Sequence, residues 1–276
     1  MTERAETLRL DITRAVSRAG LGVLTGIDRV ELAWINWALS GRWADAQFVA
    51  RVSGGVHAID RGDMAELMAA LRGETNPPMD ARGAITLKKR PAVRRAESLL
   101  RRLAVPIRAA DFYANVGHSN LTPEAMTEMR EQGAARVVVK IHDVIPLEYP
   151  EFARADGPQK MRIRLNAAAM ADGLVFNSAD TARRALAHMT TDAAHVVAPL
   201  GVEVEEADAA LHEGFVCLGT IEPRKNHALL LDIWQGMALP RPPLHIIGRR
   251  GWMNEEVFAR LDLGIDGVIE HNNLDD

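Results

Sequence analysis

Short apolar runs recur along this chain, each separated from the next by a longer stretch of helical periodicity. That alternation restricts the fold more than any other feature. Runs at 8–12, 48–52, 112–116, 137–141, 174–176, 195–198, 215–220, 244–247 and 268–269 read as strands. Helical patterns fall near 28–40, 63–72, 91–103, 122–132, 158–171, 179–189, 226–236 and 254–262. Strands alternating with helices build parallel sheets flanked by helices, so the expected class is α/β. An acidic stretch without a large apolar run, 201–213, precedes the strongest strand pattern. It suggests a first domain over 1–200 and a second over 213–276. The second would be shorter than the ~100 residues such a domain commonly uses, so it is expected to be incomplete.

The segment 215–235 carries the clearest chemistry. Its apolar run reads as a buried strand, broken at Glu222-Pro223 and followed by adjacent cations, Arg224 and Lys225. Asn226 can cap a helix whose apolar face is Leu229, Leu230, Ile233 and Trp234. Two cations in a strand-to-helix turn, with the positive end of a helix behind them, suit a phosphate-bearing ligand. An isolated Arg-Lys pair is otherwise a solvated turn.

Other polar groups collect where strands end, the place open α/β sheets offer to ligands. His142-Asp143 closes the run at 137–141, with Pro146 and Pro150 beyond. Asp143 can alternatively cap the next turn, and a His-Asp pair also occurs in helical phosphohydrolases, whose further ligands have no match here. Gly117, His118, Ser119 and Asn120 close the run at 112–116; they suit sugar hydroxyls or simply a tight turn. Asn177-Ser178 ends another run, with Ser178 placed to cap the following helix. Gly26, Ile27, Asp28 and Arg29 lead into a helix that Asp28 can cap, with Glu31 three residues on in the spacing of a capping box and Val30, Trp34, Trp37 and Ala38 forming an apolar stripe.

Several classes fall away. The 276 residues carry a net charge of −4, so no global field recruits nucleic acid. The single cysteine, Cys217, lies within an apolar run and reads as a buried structural thiol. There is no Asp-x-Asp pair, zinc spacing, nucleophile elbow, Walker loop or Gly-x-Gly-x-x-Gly. Without an apolar stretch of ~20 residues or a signal-peptide core, the expected setting is cytoplasmic. Segment 88–108 is the exception to the acidic balance, with eight Lys/Arg and one Glu. It suits either a solvated helix or peripheral contact with an anionic membrane on the inner face of the cell envelope.

These motifs together resemble glycosyl transferases group 1, a family of retaining enzymes with the GT-B fold. Gly219, Thr220, Glu222, Pro223, Arg224, Lys225 and Asn226 match its donor-domain opening, and residues 246–252 match its next strand and Gly-x-x-Gly-Trp loop. The His-Asp-x-x-Pro element at 142–146 and the Gly-Ile-x-Arg element at 26–29 match in order and spacing. The resemblance implies two Rossmann-like domains, the first complete and the second partial. It implies transfer of a sugar, mannose being the nearest flavour, from a nucleotide-diphosphate donor to an acceptor hydroxyl in surface polysaccharide or glycoconjugate synthesis. Arg224 and Lys225, with Gly219 and Thr220, would hold the donor diphosphate; His142 and Asp143 would serve catalysis. Gly26, Ile27, Arg29, His118 and Asn120 would line the acceptor side. Partners would be a nucleotide sugar and a glycan or lipid-linked acceptor, with no metal or other cofactor. The chain stops before the latter part of the second domain, where the family carries its Glu-x₇-Glu element, so it reads as a fragment. A noncatalytic binding module on the same scaffold, or a sugar-nucleotide epimerase, are the rival readings. A partial sheet ending at 268–269 would also leave an apolar edge prone to association.

Overall fold

Every apolar run in that pattern becomes a strand, and the pairing is parallel almost throughout. The computed structural model describes residues 6–22, 24–202 and 213–272. Most of the expected linker, and residues 273–276, therefore lie outside the described residues. The chain divides into two units, Met1–Pro150 with Ala155–Gly201, and Glu151–Arg154 with Val202–Asp276.

The first unit holds β1 (Thr7–Asp11), β2 (Asp45–Val52), β3 (Gly55–Asp60), β4 (Ala110–Asn115), β5 (Ala134–Ile141), β6 (Gly173–Phe176) and β7 (Ala194–Val197) in one sheet ordered β3-β2-β1-β4-β5-β6-β7. Only β3 is antiparallel, paired to β2 through a hairpin with Ser53-Gly54 at its tip. Around the sheet run α1 (Thr13–Arg18), α2 (Gly26–Leu39), α3 (Met64–Arg72), α4 (Ala81–Ile85), α5 (Pro91–Arg102), α6 (Pro123–Glu131), α7 (Ile145–Glu148), α8 (Gly157–Ala168) and α9 (Ala179–Ala187). Residues alternate faces along a strand, and both faces are covered. Phe48, Ala50 and Val52 of β2 enter one core with Leu8, Leu10 and Leu100, while Val49 enters the other with Tyr113, Val139 and Phe176. This is a Rossmann-like doubly wound sheet.

The second unit pairs β8 (Phe215–Leu218), β9 (Leu244–Ile247) and β10 (Val268–His271) in parallel, in the order β10-β9-β8. It carries α10 (His227–Gly236) and α11 (Glu255–Leu263), which close a small core around Ile221, Leu231, Trp234 and Ile246. Here the sequence reading needs correction. The run expected to form a buried strand is an edge: Phe215 is 54% exposed, Val216 67% and Leu218 75%. Hydrophobicity alone cannot distinguish a central strand from an edge that lacks a neighbour. Cys217 is accordingly half-buried, 3.7 Å from Nε2 of His227.

Helix starts differ too. The N-cap of α2 is Thr25, and Asp28 is the third helical residue, whose carboxylate accepts from the Thr25 amide at 2.7 Å. Trp37, placed on the apolar stripe, is exposed, whereas Asp28, Glu31, Ile35 and Ala38 face inward. The Ser178 hydroxyl accepts from the Thr181 amide at 3.1 Å, capping α9. Among the described residues, no helix is long and apolar enough to cross a membrane.

Candidate functional site

The chain leaves β1 toward β2 on one side and returns to β4 on the other, which makes the β1/β4 boundary the switch point of the first sheet. Crevices beyond the carboxyl ends of strands at such a boundary are where open α/β sheets bind ligands. A buried polar cluster occupies this place. At the end of β1, Asp11 accepts from the Thr13 amide at 2.9 Å, the Tyr113 hydroxyl at 2.8 Å and the Asn120 amide at 3.0 Å. Burial pushes its carboxyl above the ordinary 3.8, and these donors oppose the shift.

Glu31 reaches in from α2. It is 1% exposed, and neither carboxyl oxygen has a hydrogen-bond partner at good geometry. Burial, then the charge of Asp11, drives its carboxyl well above the ordinary 4.5, with Arg14 and the Ala15 amide opposing. The pair thus differs in its surroundings: Asp11 is supplied with donors that favour its charged form, whereas burial without such donors favours the protonated form of Glu31. A Cβ on Gly117 would stand 2.8 Å from Glu31 Oε1 and 2.9 Å from the Arg14 Cβ, so this close approach requires glycine. Asp28 is held in its charged form by Thr25, Arg14 and Arg18 against the opposing effect of burial.

Two histidines sit beside this cluster with rings in edge contact, 4.8 Å between centroids. His118, at φ +59°, turns Nε2 to the Lys140 carbonyl at 3.0 Å; His142 turns Nε2 to the Val116 carbonyl at 2.7 Å. A ring nitrogen facing a carbonyl must carry hydrogen, which leaves Nδ1 of His142 as an acceptor, 3.4 Å from the Asn177 amide. Burial lowers both histidines below the ordinary 6.5, so both are neutral imidazoles near neutral pH. Arg164 on α8 makes no ion pair or hydrogen bond among the described residues; burial, then repulsion from Arg14, lowers its pKa.

The structure therefore brings His118, Asn120 and His142 together at one sheet end. Asn120 is committed to Asp11 and to Nε of Arg51, at 2.6 Å. Asp143 accepts from the Ile145 amide at 3.1 Å, so the turn-capping alternative is realised. Gly26, Ile27 and Arg29 open α2, with Gly26 and Arg29 exposed. Sequence reasoning missed Asp11, Tyr113, Arg164 and the role of Glu31. A signal existed: Asp28, Glu31, Ile35 and Ala38 share one helical face at 3-4-3 spacing, which places two acids on the side with buried apolar residues.

In the second unit the strand ends are knit together by backbone. The Gly219 amide donates to the Ile247 carbonyl at 2.8 Å and the Gly248 amide to His271 at 3.0 Å. A Cβ on Gly248, whose φ is +156°, would stand 2.0 Å from the Gly219 carbonyl oxygen, so the two loops can approach only without a side chain there. Pro223–Lys225 forms a single 3₁₀ turn, and Asn226 adopts the left-handed region at φ +50° to enter α10. Asn226 thus shapes the entry but makes no side-chain cap bond, contrary to expectation. Arg224 and Lys225 are exposed. Arg224 pairs with the buried Glu222, whereas Lys225 has no such partner among the described residues and lies with Nζ 3.9 Å from where a Gly219 Cβ would stand. The turn presents a cation over a bare backbone strand end.

No family model matches the chain. Over 174 residues it is 28% identical to the serotype-specific mannosyltransferase WbdA of Escherichia coli, a match covering 52% of this chain and 21% of that protein. The match thus extends over about a fifth of the length of that curated relative. Among solved structures, a UDP-glucosyltransferase from Polygonum tinctorium aligns with 99% of this chain and 72% of its own, at 12% identity and a TM-score of 0.41.

Proposed function

We propose that this chain is a glycosyltransferase that moves a sugar, mannose first among candidates, from a nucleotide-diphosphate donor to an acceptor hydroxyl with retention, in the synthesis of a surface polysaccharide or related glycoconjugate. The observation that carries this reading is the strand-end turn at Gly219–Asn226, where Lys225 stands over the Gly219 backbone and Arg224, paired with Glu222, is exposed beside it at the start of α10. Similarity to a mannosyltransferase supports it. As the glycosidic bond breaks, charge builds up on the departing diphosphate. Fixed cations at that position stabilise the transition state more than the ground state. In this reading no metal is called upon, and Thr220 completes the diphosphate cradle.

The acceptor side falls to the first unit. His118 and His142 are uncharged and suited to orienting hydroxyls; at His142 Nδ1 a sugar hydroxyl would take the place of the Asn177 amide, 3.4 Å away. Gly26, Ile27 and Arg29 at the start of α2, with Asn120, complete the acceptor set, and His142 with Asp143 is the proposed catalytic pair. Asn120 acts here by fixing Asp11 rather than by touching ligand.

The test is a transfer assay with a panel of sugar nucleotides, mannosyl donors first, and glycan or lipid-linked acceptors, read by mass spectrometry. A glycoside plus free nucleoside diphosphate is expected. His142→Ala should slow turnover by about a hundredfold, the scale of a lost positioning or proton-transfer contact. An altered but unattached sugar nucleotide would mean epimerisation, and no consumption of any donor would contradict the proposal.

A further inference from the structure

A cavity of about 250 Å³ lies at the carboxyl ends of two neighbouring strands of the first unit, between the segment after β5 and the first turns of α9, which follows β6. The segment contributes Asp143, Glu148 and Tyr149, and the helix Asp180, Thr181 and Arg184. Val144 and Ile145 add apolar surface. None of these residues belongs to the buried cluster around Asp11 and Glu31. The volume has room for one small ring, since pockets for drug-sized ligands start at about 300 Å³.

Three acids and one cation line this space, which by itself suggests a cation as ligand. The ion pairs remove that reading. Arg184 pairs with both Glu148 and Asp180, its Nε lying 2.7 Å from Asp180, and Arg183 lies 2.5 Å from the same carboxylate. Those two acids are therefore occupied, and the Glu148 pair ties α7 to α9. Asp143 differs from them. Its Oδ1 accepts from the Ile145 amide at 3.1 Å, whereas Oδ2 takes no hydrogen bond among the described residues, and the half-buried side chain lines the open space. One open carboxylate repels an anion and accepts from hydroxyl donors. Two further groups give the ligand its character. The Thr181 hydroxyl accepts from the Ser178 hydroxyl at 3.1 Å, so its own proton is available to a ligand. Tyr149 is 42% exposed and offers the cavity a flat apolar ring.

We infer that this cavity binds one neutral pyranose unit of a saccharide, with a hydroxyl donating to Asp143, another accepting from Thr181, and the C–H face of the ring against Tyr149. A sugar ring meets all three groups at once. An apolar ligand would leave Asp143 and Thr181 without partners, and an anionic one would face the open carboxylate. The inference rests on the transferase reading in one respect: the saccharide bound here is a unit of the acceptor glycan. Asp143 follows His142 directly in the chain, so a sugar held by Asp143 lies next to the histidine proposed to act on the acceptor. The cavity would then select acceptors by the sugar ring that fits it.

The experiment is an NMR saturation-transfer titration of the full chain with methyl mannoside, mannosamine and mannose 6-phosphate as neutral, cationic and anionic forms of one ring. Saturable binding of methyl mannoside is expected, with mannose 6-phosphate binding more weakly. Tyr149→Ala, at an exposed ring, should weaken methyl mannoside binding by about fivefold or more. Thr181→Val keeps the shape and the amide capped by Ser178, and should weaken it by about threefold or more. Lys225→Gln, at the turn proposed to hold the donor, should leave it unchanged. No saturable binding of methyl mannoside overturns the inference, as does equal affinity in wild type, Tyr149→Ala and Thr181→Val. Tighter binding of either charged sugar than of methyl mannoside would mean that the cavity reads charge, and overturns it too. The two readings fail separately. If methyl mannoside binding depends on Tyr149 and Thr181 but no donor is consumed, the transferase reading fails and the cavity stands. If transfer occurs and Tyr149→Ala leaves both this affinity and the acceptor KM unchanged, the cavity alone fails.

Discussion

The two units place polar groups at strand ends by opposite means. In the first, a sheet covered on both faces buries Asp11, Glu31, His118 and His142, and their protonation states follow from that burial. In the second, a three-stranded sheet supports Arg224 and Lys225 in the open, and geometry comes from glycine backbone and one left-handed asparagine. A ligand at the first site meets groups already desolvated and fixed. A ligand at the second meets solvent-exposed cations and must desolvate them itself. The contrast suits the chemistry proposed for the two sides: neutral hydroxyls need orientation, whereas a diphosphate needs charge.

The largest expected effect tests whether the covering of the sheets differs as described. Phe48→Ala removes a fully buried ring from the first core and should cost about 3–5 kcal/mol. Leu218→Ala on the exposed edge β8 should lie within about 0.5 kcal/mol of wild type. Denaturant unfolding of both variants checks this; similar losses would mean that β8 is covered in solution and the contrast fails.

A smaller effect concerns protonation. Glu31 keeps its proton in the folded state at pH values where the unfolded chain, titrating near 4.5, has released it. Stability therefore falls as pH rises through the interval above 4.5, by at most about 1.4 kcal/mol per pH unit from this group. The histidines act with the opposite sign, because their folded pKa values lie below 6.5 and stability is lost as pH falls below that value. Glu31→Gln should remove this group's part of the first slope, leaving the part that the raised carboxyl of Asp11 adds, and leave the second. Unfolding curves from acid to neutral pH would show the variant gaining on wild type as pH rises. Parallel profiles would mean that Glu31 is charged and has found a partner.

Much of this architecture was legible in the chain. The strand runs and their alternation with helices are strong local signals, and all of them appear in the sheets. The hairpin strand β3 was missed although Ser53-Gly54 marks its turn, because its apolar content, Val56, Ala58 and Ile59, is modest. Helices α1 and α4, of six and five residues, are too short for a period to repeat. The turn at Gly219–Asn226, proposed to hold the donor, was legible because its motif is contiguous. Asp11 and Glu31 were not, because their proximity comes from the crossing of α2 over the end of β1, which no local pattern encodes. Glu31 in particular passes for a capping residue until the helix is seen to start at Gly26. The exposure of β8 depends on a neighbour that local hydrophobicity does not report.

The central claim is that the turn at Gly219–Asn226 holds a nucleoside diphosphate. Arg224→Ala is an impure test, because it strands the buried Glu222 without its partner and should itself cost about 1–3 kcal/mol of stability. Lys225→Gln is the cleaner change, since Lys225 is exposed and has no ion-pair partner among the described residues. Calorimetric titration of wild type and Lys225→Gln with nucleoside diphosphates should show saturable binding in the first, weakened by about 1.5–3 kcal/mol in the second with unfolding unchanged. Equal affinities in the two proteins, or no binding in wild type, would contradict the assignment.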